Sequence, residues 1–306
     1  MNTSDTGLIL LFYKYVHIQS PEQIKTWLTN LCTRLFLKGR VILAHEGINA
    51  TVGGTSDACQ EFIQELSNHP LFPNIDFKQS TGSAQQFPRL RISIRNEIVA
   101  LGVDPQELPA DQGGNHLTPE QVHQMLQQPS DDLVIFDARN NYESRIGVFQ
   151  GAIAADIATF RDFPAYVDQN LEQFKNKKVL MYCTGGIRCE RASAYLKKTG
   201  VANQVYQLSG GIHRYVEQFP DGFFKGKNYV FDGRIAMNVS DDVLSNCDWC
   251  NIKCDEYTNC INTTCNKKII TCNACTEKYS NTCNTNCHYL VATNQVKIRT
   301  KPARIN

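Results

Sequence analysis

The stretch Tyr182-Cys183-Thr184-Gly185-Gly186-Ile187-Arg188-Cys189-Glu190 restricts the fold of this chain more than any other. The apolar run Val179-Leu180-Met181 leads into a cysteine, then a Gly-rich loop, then helix-forming residues. That order is a strand, a loop of the size that cradles a phosphate, and a helix N-terminus. Loop amides and the helix dipole both favour negative charge there, so the Cys183 thiol is expected to ionise more readily than a free one. A thiolate at the mouth of an α/β sheet is a ready nucleophile, and the pattern points to an enzyme.

The neighbouring segments supply the sheet. Thr118-Pro119-Glu120-Gln121 reads as a capping box opening a helix with Val122, Met125 and Leu126. Residues 133–136 form a continuous apolar strand ending at Asp137, and a further strand at 205–208 runs into the turn Ser209-Gly210-Gly211. Helical patterns lie around 163–174, 189–198 and 212–219. Repeated β-then-α units predict a parallel sheet with helices on both faces over residues 115–222. Ligands sit at the carboxyl ends of such strands, where Cys183 lies.

Residues 1–107 have a different rhythm. An apolar, aromatic strand at 8–15 precedes Ser20-Pro21-Glu22-Gln23, a capping box with proline at the first helical position. Ile24, Trp27, Leu28, Leu31 and Leu35 follow at helical spacing, and Gly39 is expected to end the helix. Strands at 40–44 and 48–52 flank His45-Glu46-Gly47. A helix starts at Ser56, and Ile75-Asp76-Phe77 closes the unit as a strand. The order βαββαβ is that of a ferredoxin-like sandwich with added strands. Next, Arg89-Leu90-Arg91-Ile92-Ser93-Ile94-Arg95 alternates with period two. Arg89, Arg91 and Arg95 then share one face, which is either a solvated strand surface or a stripe that contacts RNA phosphates. His45, in its loop, is a further candidate for RNA contact. A linker at 108–114 separates the two domains.

A net charge of +1 over 306 residues means that any nucleic acid must be held by local patches. No apolar stretch approaches the roughly 20 residues of a membrane span, and the N-terminus lacks signal-peptide features, so a cytoplasmic protein is expected. Of 13 cysteines, nine crowd into residues 223–306: Cys247, Cys250, Cys254, Cys260, Cys265, Cys272, Cys275, Cys283 and Cys287. In a reducing compartment such a cluster points to metal before disulfides. Cys247-x2-Cys250 and Cys272-x2-Cys275 have zinc-knuckle spacing, and the remaining cysteines with His288 offer ligands for a second site. Nine is odd, so full pairing as disulfides leaves one over. Lys278, Lys297, Arg299, Lys301 and Arg304 give this module a basic tail suited to RNA.

Asp137-Ala138-Arg139 with Glu143, Gly151-Ala152-Ile153, the loop 183–188 and Leu208-Ser209-Gly210-Gly211-Ile212 are spaced like the signatures of a rhodanese domain. The loop is C-x4-R, the rhodanese size, one residue shorter than the C-x5-R of related phosphatases. Together with His45-Glu46-Gly47-Ile48-Asn49, Arg95-Asn96-Glu97-Ile98-Val99 and Val230-Phe231-Asp232-Gly233-Arg234 before a Cys-rich tail, the combination resembles the rhodanese-domain tRNA uridine-34 hydroxylase family over nearly the whole chain. The resemblance implies hydroxylation at C5 of the wobble uridine in the tRNA anticodon region, with molecular oxygen as co-substrate and the electron donor left open. It makes Cys183 the catalytic residue and Thr184, Gly185, Gly186, Ile187 and Arg188 its loop. Asp137, Arg139 and Glu143 would line or brace that loop, Arg139 either by an ion pair with Glu143 or by contact with the substrate. Cys189 is either a resolving thiol or a small buried residue of the first helical turn. Cys183 would act by adding to C6 of the uracil or through an oxidised or persulfide sulfur. The absence of a G-x-G-x-x-G stretch predicts no flavin or nicotinamide. A persulfide-forming sulfurtransferase is the competing activity.

Overall fold

The computed structural model describes residues 6–299, so Lys301 and Arg304 of the expected basic tail lie outside the described residues. Three parts follow one another. The first contains β1 (Thr6–Tyr15), α1 (Pro21–Arg34), β2 (Lys38–Ala44), β3 (Gly47–Thr55), α2 (Ser56–Asn68), β4 (Lys78–Ser83) and β5 (Leu90–Ile94). Its strands lie in the order β4-β1-β3-β2-β5, a ferredoxin-like sheet extended by β5 parallel to β2. Alternation along β1 turns Leu10 and Phe12 under the helices, into a core with Leu28, Val41 and Phe62. Leu11, Tyr13 and Tyr15 are left on the opposite face, toward the next domain.

Local details depart from the sequence expectations. Ser20 occupies the N-cap of α1 without a side-chain hydrogen bond. The helix ends before Gly39: Leu35 is its C-cap, and Phe36 takes the left-handed conformation (φ 54). Gly39 instead belongs to β2, where an added Cβ would lie 2.2 Å from the Thr51 carbonyl oxygen. The closing strand starts at Lys78, after Ile75-Asp76-Phe77, because pairing with β1 runs from Leu11↔Lys78 to Thr6↔Ser83. Leu90, Ile92 and Ile94 do pack against the core, and Arg89, Arg91 and Arg95 are exposed.

The second part begins with β6 (Asn115–Leu117), α3 (Pro119–Gln127), β7 (Leu133–Asp137), the single turn α4 (Asn141–Ser144), β8 (Gly147–Phe149) and β9 (Ile153–Ala154). It continues with α5 (Phe163–Gln169), β10 (Lys178–Tyr182), α6 (Ile187–Thr199), β11 (Gln204–Leu208) and α7 (Gly211–Gln218). The Thr118–Gln121 capping box forms. The parallel sheet is ordered β6-β11-β10-β7-β9. Central β10 is buried on both sides: Val179 and Met181 join one core cluster, Leu180 and Tyr182 the other. A continuous apolar run is what such a strand requires.

The third part adds β12 (Phe224–Tyr229), which pairs with β8 and with β13 (Ala236–Asn238). The hairpin β14 (Tyr257–Asn259) and β15 (Lys268–Ile270) follows, then α8 (Asn273–Tyr279) and α9 (Thr285–Ala292). Trp249 stacks on Tyr279 with centroids 3.7 Å apart, and apolar packing is otherwise sparse. Among the described residues no helix is long and apolar enough to cross a membrane.

Candidate active site

Cys183 follows β10 directly, and its loop wraps into the first turn of α6. Gly186 adopts φ +100, and a Cβ there would meet the Tyr13 hydroxyl at 2.7 Å. Gly211 (φ +64) is pressed just as closely, with an added Cβ 2.5 Å from the Cys183 carbonyl oxygen. Both positions therefore require glycine, since a side chain would be strained as well as blocked. The Gly186 N–H donates to Cys183 Sγ at 3.2 Å. Burial alone would raise the Cys183 pKa. The Cys189 thiol, the Arg188 charge and the amides of Cys189 and Arg188 outweigh burial and bring it down to about 6. Cys189 moves the other way, pushed well up by burial and by Cys183, so it stays protonated and donates to the thiolate. Its buried place in the first turn of α6 and its contact with Cys183 coexist.

The charged residues behind the loop form two buried pairs. Arg188 donates to Glu143 through Nη1 (2.5 Å) and Nη2 (2.8 Å), and Thr184 Oγ1 donates to Glu143 at 3.1 Å. Arg139 pairs with Asp137, at 2.6 Å from Nη2 and 2.9 Å from Nε, and also donates to the Gly147 carbonyl. The expected partner of Arg139 is therefore corrected. Glu143 reaches back from α4 to Arg188, while Arg139 turns under its own strand and packs on Tyr182 and Phe224. Burial raises the Glu143 pKa, but Arg188 and then Arg139 more than offset it, so Glu143 is held below the usual carboxylate range.

A cleft of about 990 Å³ opens between the loop and the exposed face of the N-terminal sheet. Thr184, Gly185, Ile187 and Arg188 form its floor; Leu11, Tyr13 and Asn49 face them. The Cys183 sulfur lies beneath that floor, with no exposure. Tyr13 donates to Glu190 at 2.9 Å and Tyr15 to the Ile187 carbonyl at 3.3 Å, so the N-terminal domain rests directly on the loop. Lys78 is buried beside Tyr13 and pairs with Asp76 at 2.7 Å. His213, pushed down to about 4 by burial and by Lys78, is a neutral neighbour of the loop.

Arg40, Arg95 and Arg161 line the cleft, and Arg91 stands beside Arg40 in the β2–β5 register. None of these four makes an ion pair among the described residues. Arg89 is exposed farther along the same edge. His45 is on the surface, bonded through Nδ1 to the Ile18 carbonyl and outside the cleft lining; its neighbour Glu46 accepts the Ile98 N–H at 2.7 Å. Sequence reasoning missed Arg40, Tyr13 and Phe231. Arg40 is a lone arginine in a strand, and only the parallel pairing with β5 reveals its company.

The cysteines of the third part sort into two tetrads, Cys247, Cys250, Cys272, Cys275 and Cys260, Cys265, Cys283, Cys287, the sulfurs of each within 4.8 Å of one another. All thirteen cysteines are free. Sulfur separations of 3.7 Å (Cys250–Cys272), 3.5 Å (Cys265–Cys283) and 3.7 Å (Cys283–Cys287) are far beyond a disulfide bond of about 2.05 Å. They match the edge of about 3.8 Å of a tetrahedron with Zn–S bonds of about 2.3 Å. Cys254 is corrected as a candidate ligand: it stands outside both tetrads, buried with Ile146, Tyr229 and Ile270. His288 is also outside, its Nδ1 3.3 Å from the Tyr279 carbonyl. The module is joined to the central domain by Arg145–Asp248 at 2.6 Å, and within the third part Lys227 of β12 pairs with Asp255 at 2.8 Å. Lys268 of β15 inserts its ammonium among Tyr142, Tyr229 and Phe231.

A parallel sheet with a cysteine loop of this size defines a rhodanese-like protein, here flanked by two further domains. Models of known families match all three: a UPF0176 acylphosphatase-like domain over residues 7–98, a rhodanese-like domain over 118–218 and a rhodanase C-terminal domain over 225–288. The tRNA uridine(34) hydroxylase of Corynebacterium jeikeium is 41% identical over 271 residues, covering 86% of this chain and 87% of its own. That of Staphylococcus saprophyticus is 42% identical over 267 residues, covering 86% and 84%. The Alr3790 protein from Anabaena sp. shares 21% identity with a TM-score of 0.31, covering 36% of this chain and 91% of its own. The chain belongs to the tRNA uridine(34) hydroxylase family.

The low Cys183 pKa is open to direct measurement. The thiolate ultraviolet absorbance of the wild type minus that of Cys183→Ser should titrate with a midpoint of about 6, the thiolate persisting above it. A midpoint in the ordinary thiol range of about 8.5 would show that the loop does not activate the sulfur.

Proposed function

We propose that this chain hydroxylates C5 of uridine 34 in tRNA, giving 5-hydroxyuridine, with Cys183 as the reacting thiolate. The observation that carries this reading is the cleft that brings unpaired arginines of one domain to the thiolate loop of another. Guanidinium groups without ion-pair partners suit phosphates, and an anticodon loop supplies unstacked bases that can enter a pocket. Membership of the hydroxylase family gives the reaction its direction. The Cys183 electron pair adds to C6 of the uracil, forming an S–C6 bond and leaving C5 as the electron-rich carbon. One oxygen atom of dioxygen forms the C5–O bond, the O–O bond breaks, and two electrons from a separate donor with two protons carry the other oxygen to water. Loss of the C5 proton and departure of the sulfur then restore the C5=C6 bond. Contact between sulfur and base requires the residues that cover the sulfur, Thr184 and Gly185 with Leu11 over them, to shift locally. Such chemistry on tRNA belongs in the reducing cytoplasm. Expressed in cells lacking this activity, the chain should restore 5-hydroxyuridine-derived nucleosides in bulk tRNA; an unchanged nucleoside profile refutes the reading.

Arg40, Arg91, Arg95 and Arg161 hold the phosphates of the anticodon arm. Each substitution by glutamine should weaken tRNA binding and lower the slope of log affinity against log salt by about 0.9 for each phosphate no longer neutralised. A double variant of Arg40 and Arg91 with the wild-type slope would remove this edge from the interface.

The two cysteine tetrads hold structural zinc. Their sulfur spacing supports this, and a module with so little apolar core needs a cross-link to offset its ordering entropy. Purified protein should carry two zinc ions per chain, and Cys272→Ser should carry one. A metal-free chain with an unchanged melting temperature would argue against metal at either tetrad.

A further inference from the structure

We propose that Phe231 is the platform on which the uracil of the target nucleotide stacks, a proposal that rests on the tRNA reading above. Three aromatic rings reach the cleft wall. Tyr13 commits its hydroxyl to Glu190, Phe160 is buried, and Phe231 is 54% exposed. A large apolar ring left open to water inside a cleft is the kind of surface a ligand covers. Phe231 borders both the main cleft and the narrower pocket beneath it that holds Thr184 and His213. Its ring centroid lies 5.8 Å from the Arg188 guanidinium carbon, so a base stacked there would lie beside the reactive loop.

The ring is also held in place from three directions. Tyr229 meets it nearly edge-on, with centroids 5.1 Å apart at 68°. The Lys268 ammonium, 4.4 Å from Tyr229 and 3.3 Å from Tyr142, lies 5.8 Å from the Phe231 centroid. The turn that carries the ring is tied to the N-terminal domain: Arg234 donates to Ser80 Oγ at 2.9 Å, and Gln86 donates to the Asp232 carbonyl at 3.0 Å. The Val230 N–H closes the turn on the Ile235 carbonyl at 2.8 Å, with Ile235 at φ +70. A β-branched residue at that φ is an outlier that persists only where its surroundings enforce it. Those surroundings fix the ring as a rigid wall. A pyrimidine withdrawn from its stack in the anticodon loop finds a replacement π-surface on such a ring.

The test compares two anticodon stem-loops, one with uridine at position 34 and one abasic there, binding to wild type, Phe231→Ala, Phe231→Leu and Phe231→Tyr. Wild type and Phe231→Tyr should bind the uridine form about tenfold more tightly than the abasic form. Phe231→Ala and Phe231→Leu should bind both forms alike while remaining folded, because about half of the ring is exposed and it lies outside the core clusters. Leucine keeps the apolar bulk without the π-face, so it separates stacking from simple filling of space. Discrimination retained by Phe231→Leu, abolished in Phe231→Tyr, or absent from the wild type overturns the stacking role alone. A wild type that binds neither stem-loop overturns the tRNA reading itself.

Discussion

Replacement of Cys183 by alanine should abolish 5-hydroxyuridine formation, by at least about a thousandfold, while leaving the fold and tRNA affinity intact. The side chain is small, and its Sγ accepts from the Gly186 N–H and the Cys189 thiol, so little packing is lost with it. The chemistry is another matter, because the only activated thiol beside the cleft is removed while Cys189 stays protonated. Nucleoside mass spectrometry of tRNA from cells complemented with each variant reads the effect directly. A stem-loop carrying 5-fluorouridine at position 34 adds a second readout. Addition of sulfur to C6 should leave a covalent adduct on the wild type and none on Cys183→Ala. Normal hydroxylation by the alanine variant would exclude Cys183 from the reaction.

The largest stability effect is expected at Glu143, which is fully buried and accepts two hydrogen bonds from Arg188 and one from Thr184. Glu143→Gln leaves the Arg188 guanidinium buried without its counter-charge, at a cost of about 3–5 kcal/mol. Thr184→Ala removes a neutral hydroxyl from the same group and should cost about 1 kcal/mol. Denaturant unfolding of the two variants measures the difference, and equal losses would mean that the pair's charge does not stabilise the loop. The sign of the pH dependence follows from the lowered Glu143 pKa. A depressed carboxylate gives its full stabilisation above its unfolded value of about 4.3 and loses it as pH falls through the lower folded value. The Glu143→Gln variant should therefore lose less stability than the wild type as the solution is acidified through that range.

Local pattern reveals the parts of this molecule that are built from neighbours in sequence. The strand into Cys183, the short C-x4-R loop and the Thr118 capping box all have signatures within a few residues, and the two domain folds follow from element order. What the sequence hides is which distant groups meet. Arg139 and Glu143 are four residues apart and look like partners, yet the sheet turns Arg139 toward Asp137 and delivers Arg188, from α6, to Glu143. Nine crowded cysteines announce metal, but assigning Cys260 and Cys265 to Cys283 and Cys287, with Cys254 left in the core, takes the folded positions. Phe231 sits within a recognisable motif, but its place in the cleft wall becomes visible only when the N-terminal sheet is laid across the central domain. His45 illustrates the converse: a loop histidine in a motif that turns out to bond a backbone carbonyl at the surface.

The burial of the Cys183 sulfur beneath Thr184 and Gly185, with Leu11 and Tyr13 laid over the loop, also bears on how such an enzyme survives its own chemistry. A thiolate that persists at neutral pH in an aerated cell is the form most prone to stepwise oxidation, first to sulfenic acid and then irreversibly. That damage depends on access as much as on ionisation. The N-terminal sheet thus acts as an antioxidant cover, shielding a sulfur that is chemically ready throughout the idle time between substrates. Peroxide can reach it only when those covering residues shift, as they must when a bound base meets the sulfur.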